Sequence, residues 1–215
     1  MNWFKSRHNY PEFYKVYREA FKQKHDDLKT VRFVVFDTET TGLNPKSDRI
    51  LSIGTVAVKA FQIHISDSLE CYLKQEQFNK ETVEIHGLLK EGTLTKIEES
   101  DAIIKFLNHI KNSVLIAHHI AFDVAMINEA LKRMDLPKLK NKVIDTGQLY
   151  KKTKYLKDEK YYSLDELCET FNIKMQDRHT ASGDAFLTAV LFLKLSALLR
   201  QKKKRLKLKD FLNWI

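Results

Sequence analysis

Four acids and one histidine stand where this sequence could do chemistry. Asp37 and Glu39 follow the apolar run Val31–Phe36, Asp123 follows SVLIAHH, and Asp184 follows RHTASG, with His179 five residues before it. Each acid lies where an element begins or ends, and ligand sites of open α/β layers form at the ends of strands. Positions two apart on a strand point the same way, so the Asp37 and Glu39 carboxylates leave the sheet on one side. Taken alone, that pair fits a solvated Asp-Thr-Glu turn as well as a metal site, because acids at an apolar strand end are costly unless a cation meets them. If all four acids converge, they repel one another in a desolvated cleft, and a phosphate diester could approach only with cations between. Hard oxygen donors select Mg²⁺ or Mn²⁺ over zinc. Two such ions about 3.5–4 Å apart can activate water and stabilise a leaving oxygen. His179 sits in a loop of polar and small residues. A free imidazole titrates near about pH 6.5, so it can take a proton from an attacking water within its reach. Without Asp184 beside it, it would read as an ordinary loop histidine.

The elements that must position these groups follow from periodicity. The near-continuous apolar run before Asp37 suits a strand buried on both faces at the centre of a sheet. ILSIGTVAV (50–58) and the alternating segment through Phe61, Ile63 and Ile65 to Cys71–Leu73 read as antiparallel strands beside it. Residues 75–98 read as helical or irregular. Ile103, Ile104, Leu107 and Ile110 form a helix face, SVLIA (113–117) is a short buried strand, and Phe122–Leu131 is a helix with Asp123 in its first turn. A brief strand ends at Asp145, Ser163 caps a short helix, and a long helix from about Ala181 to Leu199 carries Asp184 in its first turn. Strands that pair antiparallel and then alternate with helices predict an α/β fold, a mixed sheet flanked by helices. Before this domain (31–200), residues 1–30 form an extension with a helix beginning at Asn9-Tyr10-Pro11, whose apolar face is Phe13, Val16, Tyr17, Ala20 and Phe21. After it, residues 201–215 are a basic tail: a solvated end, a phosphate contact or, through Phe211, Leu212, Trp214 and Ile215, a docking surface.

Composition narrows the class. The 215 residues are 43% hydrophobic and 30% charged, which describes a folded globular chain long enough for a sizeable core. A formal charge of +9 favours a polyanionic partner, since clustered Lys and Arg gain by releasing the counterions condensed on nucleic acid. Two cysteines, Cys71 and Cys168, are too few for a disulfide framework or a cysteine metal site and fit a reducing compartment. The start MNWFKSRHNYPEF has no apolar core of a secretory signal, and the longest apolar stretch, AVLFLKLSALL, is broken by Lys194 and Ser196. The expectation is a cytoplasmic protein with no membrane span.

With these residues in view, the sequence resembles the DEDDh, or DnaQ-like, 3′–5′ exonucleases. The resemblance rests on Asp37-Thr38-Glu39-Thr40-Thr41-Gly42, Ala117-His118-His119-Ile120-Ala121-Phe122-Asp123 and His179-Thr180-Ala181-Ser182-Gly183-Asp184, in that order and at wide spacing. Ile85-His86-Gly87-Leu88, Val143-Ile144-Asp145-Thr146 and Ser163–Cys168 fit as well, so it covers about residues 31–200. Within the family, SLDELC and HTASGDA are most similar to the epsilon proofreading subunit of bacterial DNA polymerase III. The resemblance implies a ribonuclease-H-like fold and metal-dependent hydrolysis of the terminal phosphodiester at a 3′ end, releasing nucleoside monophosphates from DNA, single strands favoured. A DNA polymerase would be a possible partner. Carried over by position, Asp37, Glu39 and Asp184 would hold one Mg²⁺ or Mn²⁺, Asp37 and Asp123 would serve a second, and His179 would be the general base. Thr40, Thr41, Gly42 and Leu43 would line the terminal-nucleotide pocket, with His86 and Phe122 binding substrate beside it. Glycine lets backbone approach the substrate, and leucine can wedge against a base. One departure is His119, where the family usually has asparagine. An RNA-trimming exonuclease and a non-catalytic nucleic-acid or polymerase-binding module are the alternatives; the second would be marked by a lost acid or histidine, and none is lost here.

Overall fold

The computed structural model describes residues 9–23, 27–75, 94–155 and 160–212. Its centre is strand β1 (Arg32–Thr40), which pairs antiparallel with β2 (Ile50–Lys59) on one side and parallel with β5 (Val114–Ala117) on the other. Beyond β2 lie the long β3 (Gln62–Leu73) and the two-residue β4 (Lys96–Ile97); beyond β5 lies β6 (Val143–Asp145). The order β4-β3-β2-β1-β5-β6 is the mixed sheet that the pattern predicts. Two details differ. Residues 62–73 form one continuous strand, and β4 falls within the stretch read as helical or irregular, where two residues are too short to show a period.

The unbroken apolar run of β1 has a direct cause: the strand is buried on both faces. Phe33 and Val35 point into a core with Val56, Val58, Ile116 and Phe192. Val34 and Phe36 point into a second core with Ile53, Leu115, Phe106 and Ile127. All four β1 side chains are fully buried, each worth about 1.5–3 kcal/mol relative to exposure. The first core is covered by α4 (Thr146–Thr153), α5 (Leu164–Thr170) and α6 (Ala181–Lys202), the second by α1 (Glu12–Ala20), α2 (Glu99–Ile110) and α3 (Ile120–Arg133). Ser163 caps α5 in a full capping box with Glu166, as its position at the head of SLDEL predicts. Among the described residues α6 is the one helix long and apolar enough by length and composition to cross a membrane, yet 56% of that window is buried inside the fold, where it serves as the core helix.

Both ends dock onto this body. In α1 the buried residues are Tyr14 and Tyr17, not Val16, which is 49% exposed. The tyrosines win because their rings fill the second core while their hydroxyls reach partners: Tyr14 donates to the Pro137 carbonyl at 3.2 Å and Tyr17 to Asn141 Oδ1 at 2.7 Å. The basic tail folds back through the short helix α7 (Leu208–Phe211), placing Leu208 and Phe211 in the first core, the latter 5.9 Å from Phe192 between ring centroids. Its lysines stay on the surface while these two residues anchor it, so residues 201–212 are not a free solvated end.

Candidate active site

The acids reach one place from both faces of the sheet. Asp37 and Glu39 continue the Phe33–Val35 face, which lies under α6; Thr38 continues the opposite face, which lies against α3. On the first side, the first turn of α6 delivers Asp184. Oxygens of Asp37, Glu39 and Asp184 all lie within 4.8 Å of one another. On the second side, pairing of β1 with β5 stops at Val35↔Ile116, so the next backbone donors of β1 need other partners. Asp123 supplies one: its Oδ1 accepts from the Thr38 N–H at 3.0 Å and the Thr38 hydroxyl at 2.7 Å. These bonds tie α3 to the strand end and set the fourth carboxylate beside the other three.

One glycine permits this approach. Gly54 is paired with Asp37 across β1 and β2, and a Cβ there would lie 2.2 Å from both Ala181 C and Ser182 N. The start of α6 therefore rests on bare strand backbone. Its first turn is fixed further by Thr180, whose hydroxyl donates to the Asp177 carbonyl at 2.7 Å and accepts from the Gly183 N–H at 3.1 Å. A glycine inside ILSIGTVAV was the only sequence sign of this contact.

Crowding of carboxylates shows in their protonation. Loss of solvation, then the charges of Asp123, Asp184 and Glu39, pushes Asp37 well above the usual carboxylate range against the pull of Arg178. Glu39 is pushed up to about 7 by desolvation and Asp184. Asp123 is also pushed up to about 7, by burial that outweighs its bonds from Thr38. The cation that opposes this repulsion is Arg178. It bonds Asp165 through Nε at 2.6 Å and Nη2 at 3.1 Å and reaches Asp184 through Nη1. Burial works against its charge, but these two carboxylates outweigh burial and hold it positive. Asp165 belongs to SLDELC and Arg178 precedes the histidine, yet neither announces this contact in the sequence.

His179 is exposed on the loop leading into α6, with φ 61°, and is bonded to none of the four acids among the described residues. It lies near enough to Asp165 to help lower that carboxyl. At the end of β1 and in the loop after it, Thr40 and Thr41 are buried and Leu43 is 86% exposed. Thr40 Oγ1 donates to the Gly42 carbonyl at 2.8 Å, and Asp48 accepts from Thr41 Oγ1 at 3.1 Å and from the Asn44 N–H at 2.8 Å. A Cβ on Gly42 would lie 2.6 Å from the Asp48 carboxylate, so the turn closes only around glycine or a displaced Asp48. Phe122 is half-buried against the second core, and His86 lies outside the described residues.

The next segments along the sheet edge are also locked. His118 is pushed down to about 4, by burial and the charge of His119. Its Nε2 lies 2.9 Å from the Tyr162 carbonyl and its Nδ1 2.9 Å from Thr146 Oγ1, so the neutral ring donates from Nε2 and accepts at Nδ1. Asp145 caps α4 by accepting from the Gln148 N–H at 2.9 Å, and it also accepts from the Ile120 N–H at 3.0 Å and the Tyr161 hydroxyl at 2.6 Å.

A mixed sheet with four carboxylates gathered at the end of its central strand is a candidate all-oxygen donor set for divalent ions, the kind of site that phosphoryl hydrolysis uses. The sequence matches the family model described as Exonuclease over residues 34–192, and the chain belongs to that family. Among its relatives, the PolC-type DNA polymerase III of Oceanobacillus iheyensis is 30% identical over 189 residues, 87% of this chain and 13% of that protein. That of Caldanaerobacter subterraneus subsp. tengcongensis is 36% identical over 173 residues, 76% of this chain and 11% of that protein. The chain thus spans about an eighth of the length of these relatives. Among solved structures, E. coli exonuclease I in complex with a dT13 oligonucleotide shares the fold at a TM-score of 0.69 and 14% identity, over 80% of this chain and 42% of that one. Exonuclease X in complex with 5′ overhanging duplex DNA shares it at a TM-score of 0.60 and 22% identity, over 78% and 92%. Divalent metal ions are general to the family.

Proposed function

We propose that this chain is a 3′–5′ exonuclease that uses Mg²⁺ or Mn²⁺ to remove nucleoside monophosphates from single-stranded DNA. The observation that carries the reading is the meeting of Asp37, Glu39 and Asp184 oxygens within 4.8 Å, with Asp123 held alongside by Thr38. All are hard oxygen donors, and burial together with neighbouring carboxylate charge pushes Asp37, Glu39 and Asp123 above the usual carboxylate range, a shift that a divalent cation opposes. Asp37, Glu39 and Asp184 would hold one ion, and Asp37 with Asp123 a second. When bound, the ions supply charge neutralisation for the phosphate and acidify a water.

The chain's own side chains do the rest. Arg178 pairs with Asp184 and is itself oriented by Asp165. His179, whose ring is open to solvent on the loop leading into the helix that carries Asp184, takes the proton from the attacking water. Thr40, Thr41 and Gly42 shape the pocket of the terminal nucleotide, Leu43 presents its exposed side chain as the wedge against a base, and Phe122 backs the pocket. The PolC-type relatives support a strand end handled by a DNA polymerase as the natural substrate, with that polymerase as the partner.

The test is a time course on 5′-labelled single-stranded DNA and RNA of one sequence at equal concentration with Mg²⁺. Stepwise shortening from the 3′ end, faster for DNA, is expected. Asp37→Ala should slow it by at least about 10²–10³-fold and abolish calorimetric Mn²⁺ binding. Undiminished cleavage in that variant would refute the ligand set, and faster RNA trimming would replace the substrate.

A further inference from the structure

Beyond the acids, the same sheet edge presents an aromatic pair that the nuclease chemistry does not use. His119 and Tyr161 are stacked, with ring centroids 4.1 Å apart and planes at 28°. His119 is exposed, and it holds the left-handed conformation (φ 63°, ψ 39°) at the start of α3. Asn, Asp and His adopt that conformation more readily than other side chains, so histidine in place of the family's asparagine keeps the backbone and adds a ring.

Tyr161 is held rigid beneath it. Its hydroxyl donates to Asp145 at 2.6 Å and accepts from the His119 N–H at 3.2 Å, and its ring presses on Gly147, where a Cβ would lie 2.3 Å away. The His118 ring meets it edge-on, 5.5 Å between centroids. These contacts immobilise the tyrosine and leave the outer ring, His119, facing water. A rigid exposed ring is poorly explained by packing, but it suits stacking on a base, because little side-chain freedom remains to be lost. Lys151 Nζ lies 6.0 Å from the Tyr161 ring, which puts a cation beside the pair.

Position decides which base. β5 is the parallel neighbour of β1, about 4.8 Å away, and His119 precedes Asp123 by one helical turn, about 6 Å of rise. The pair therefore lies on the β5 side of the acids, whereas the pocket assigned to the terminal nucleotide is formed by the turn between β1 and β2, so a base stacked on the pair is not the terminal one. Resting on the exonuclease reading above, we infer that the His119–Tyr161 pair is a base-stacking subsite for a nucleobase upstream of the 3′-terminal nucleotide.

Binding in EDTA tests this apart from catalysis. Fluorescence anisotropy with a labelled single-stranded DNA pentanucleotide should show about 5- to 20-fold weaker binding when the upstream bases are replaced one at a time by abasic sites, at one such position. In His119→Asn, which keeps the left-handed backbone but removes the ring, that abasic penalty should vanish, and 2-aminopurine placed there should lose its quenching on binding. His119→Tyr should restore both. An abasic series with no penalty in the unaltered protein, or an equal penalty in His119→Asn, overturns the subsite. If the stacking signals appear but no strand is degraded with Mg²⁺, the subsite stands and the exonuclease reading fails.

Discussion

Replacing Gly54 with alanine should damage catalysis without adding or removing a single functional group. The new Cβ would sit 2.2 Å from two backbone atoms of the first turn of α6, about 1.2 Å short of the 3.4 Å where ordinary van der Waals contact begins. Backbone cannot rotate away as a side chain would, so the helix start must lift by roughly that distance. Asp184 rides on this turn, and the 4.8 Å cluster with Asp37 and Glu39 opens with it. A misplacement of about 1 Å at a reacting centre costs on the order of 10²-fold in rate. Overpacking of this kind costs about 1–3 kcal/mol, leaving most of a domain's stability in place. The assay pairs kcat on single-stranded DNA with a urea midpoint and Mn²⁺ calorimetry. We expect a folded protein, a loss near 10²-fold in kcat and weakened Mn²⁺ binding. A folded Gly54→Ala protein with kcat within twofold of the parent would refute the argument that this contact sets the acid cluster.

Other consequences concern metal, protons and packing. Glu39 is raised above its unfolded value to about 7, and Asp123 likewise, so their contribution in the metal-free protein is fully present below about pH 4 and is lost as pH rises through about 7. Thermal melts in EDTA should fall between pH 5 and 8, and a fixed Mn²⁺ concentration of about 100 times the Kd at pH 7 should add about 2.7 kcal/mol there and more at pH 8, where Kd is lower; a metal shift independent of pH would contradict the coupling. Thr38→Val keeps the branched strand residue but removes the hydroxyl that bonds Asp123, so the acidic limb of the kcat/KM profile should move up in pH and activity near neutrality should drop about five- to tenfold; an unmoved limb would count against that bond. Phe211→Ala should cost about 3–5 kcal/mol in urea unfolding, because the ring is fully buried beside Phe192; a loss under 1 kcal/mol would mean that the tail does not anchor the first core.

Local regularities carried much of this protein into view from its sequence. The strand under Asp37 was legible because burial on both faces leaves an unbroken apolar run, the helices because one buried stripe recurs every three to four residues, and the Ser163 cap because its bonds span three positions. The acids were legible because three ordered motifs carry them, with a histidine beside the last, in a pattern that resembles a known family. Tertiary structure decided what joins them. Gly54 under α6, Thr38 against Asp123, Arg178 between Asp165 and Asp184, and Tyr161 under His119 are contacts between segments far apart in the chain. No period or motif encodes a distance across the fold, so these partners became visible only when the two cores had brought the segments together.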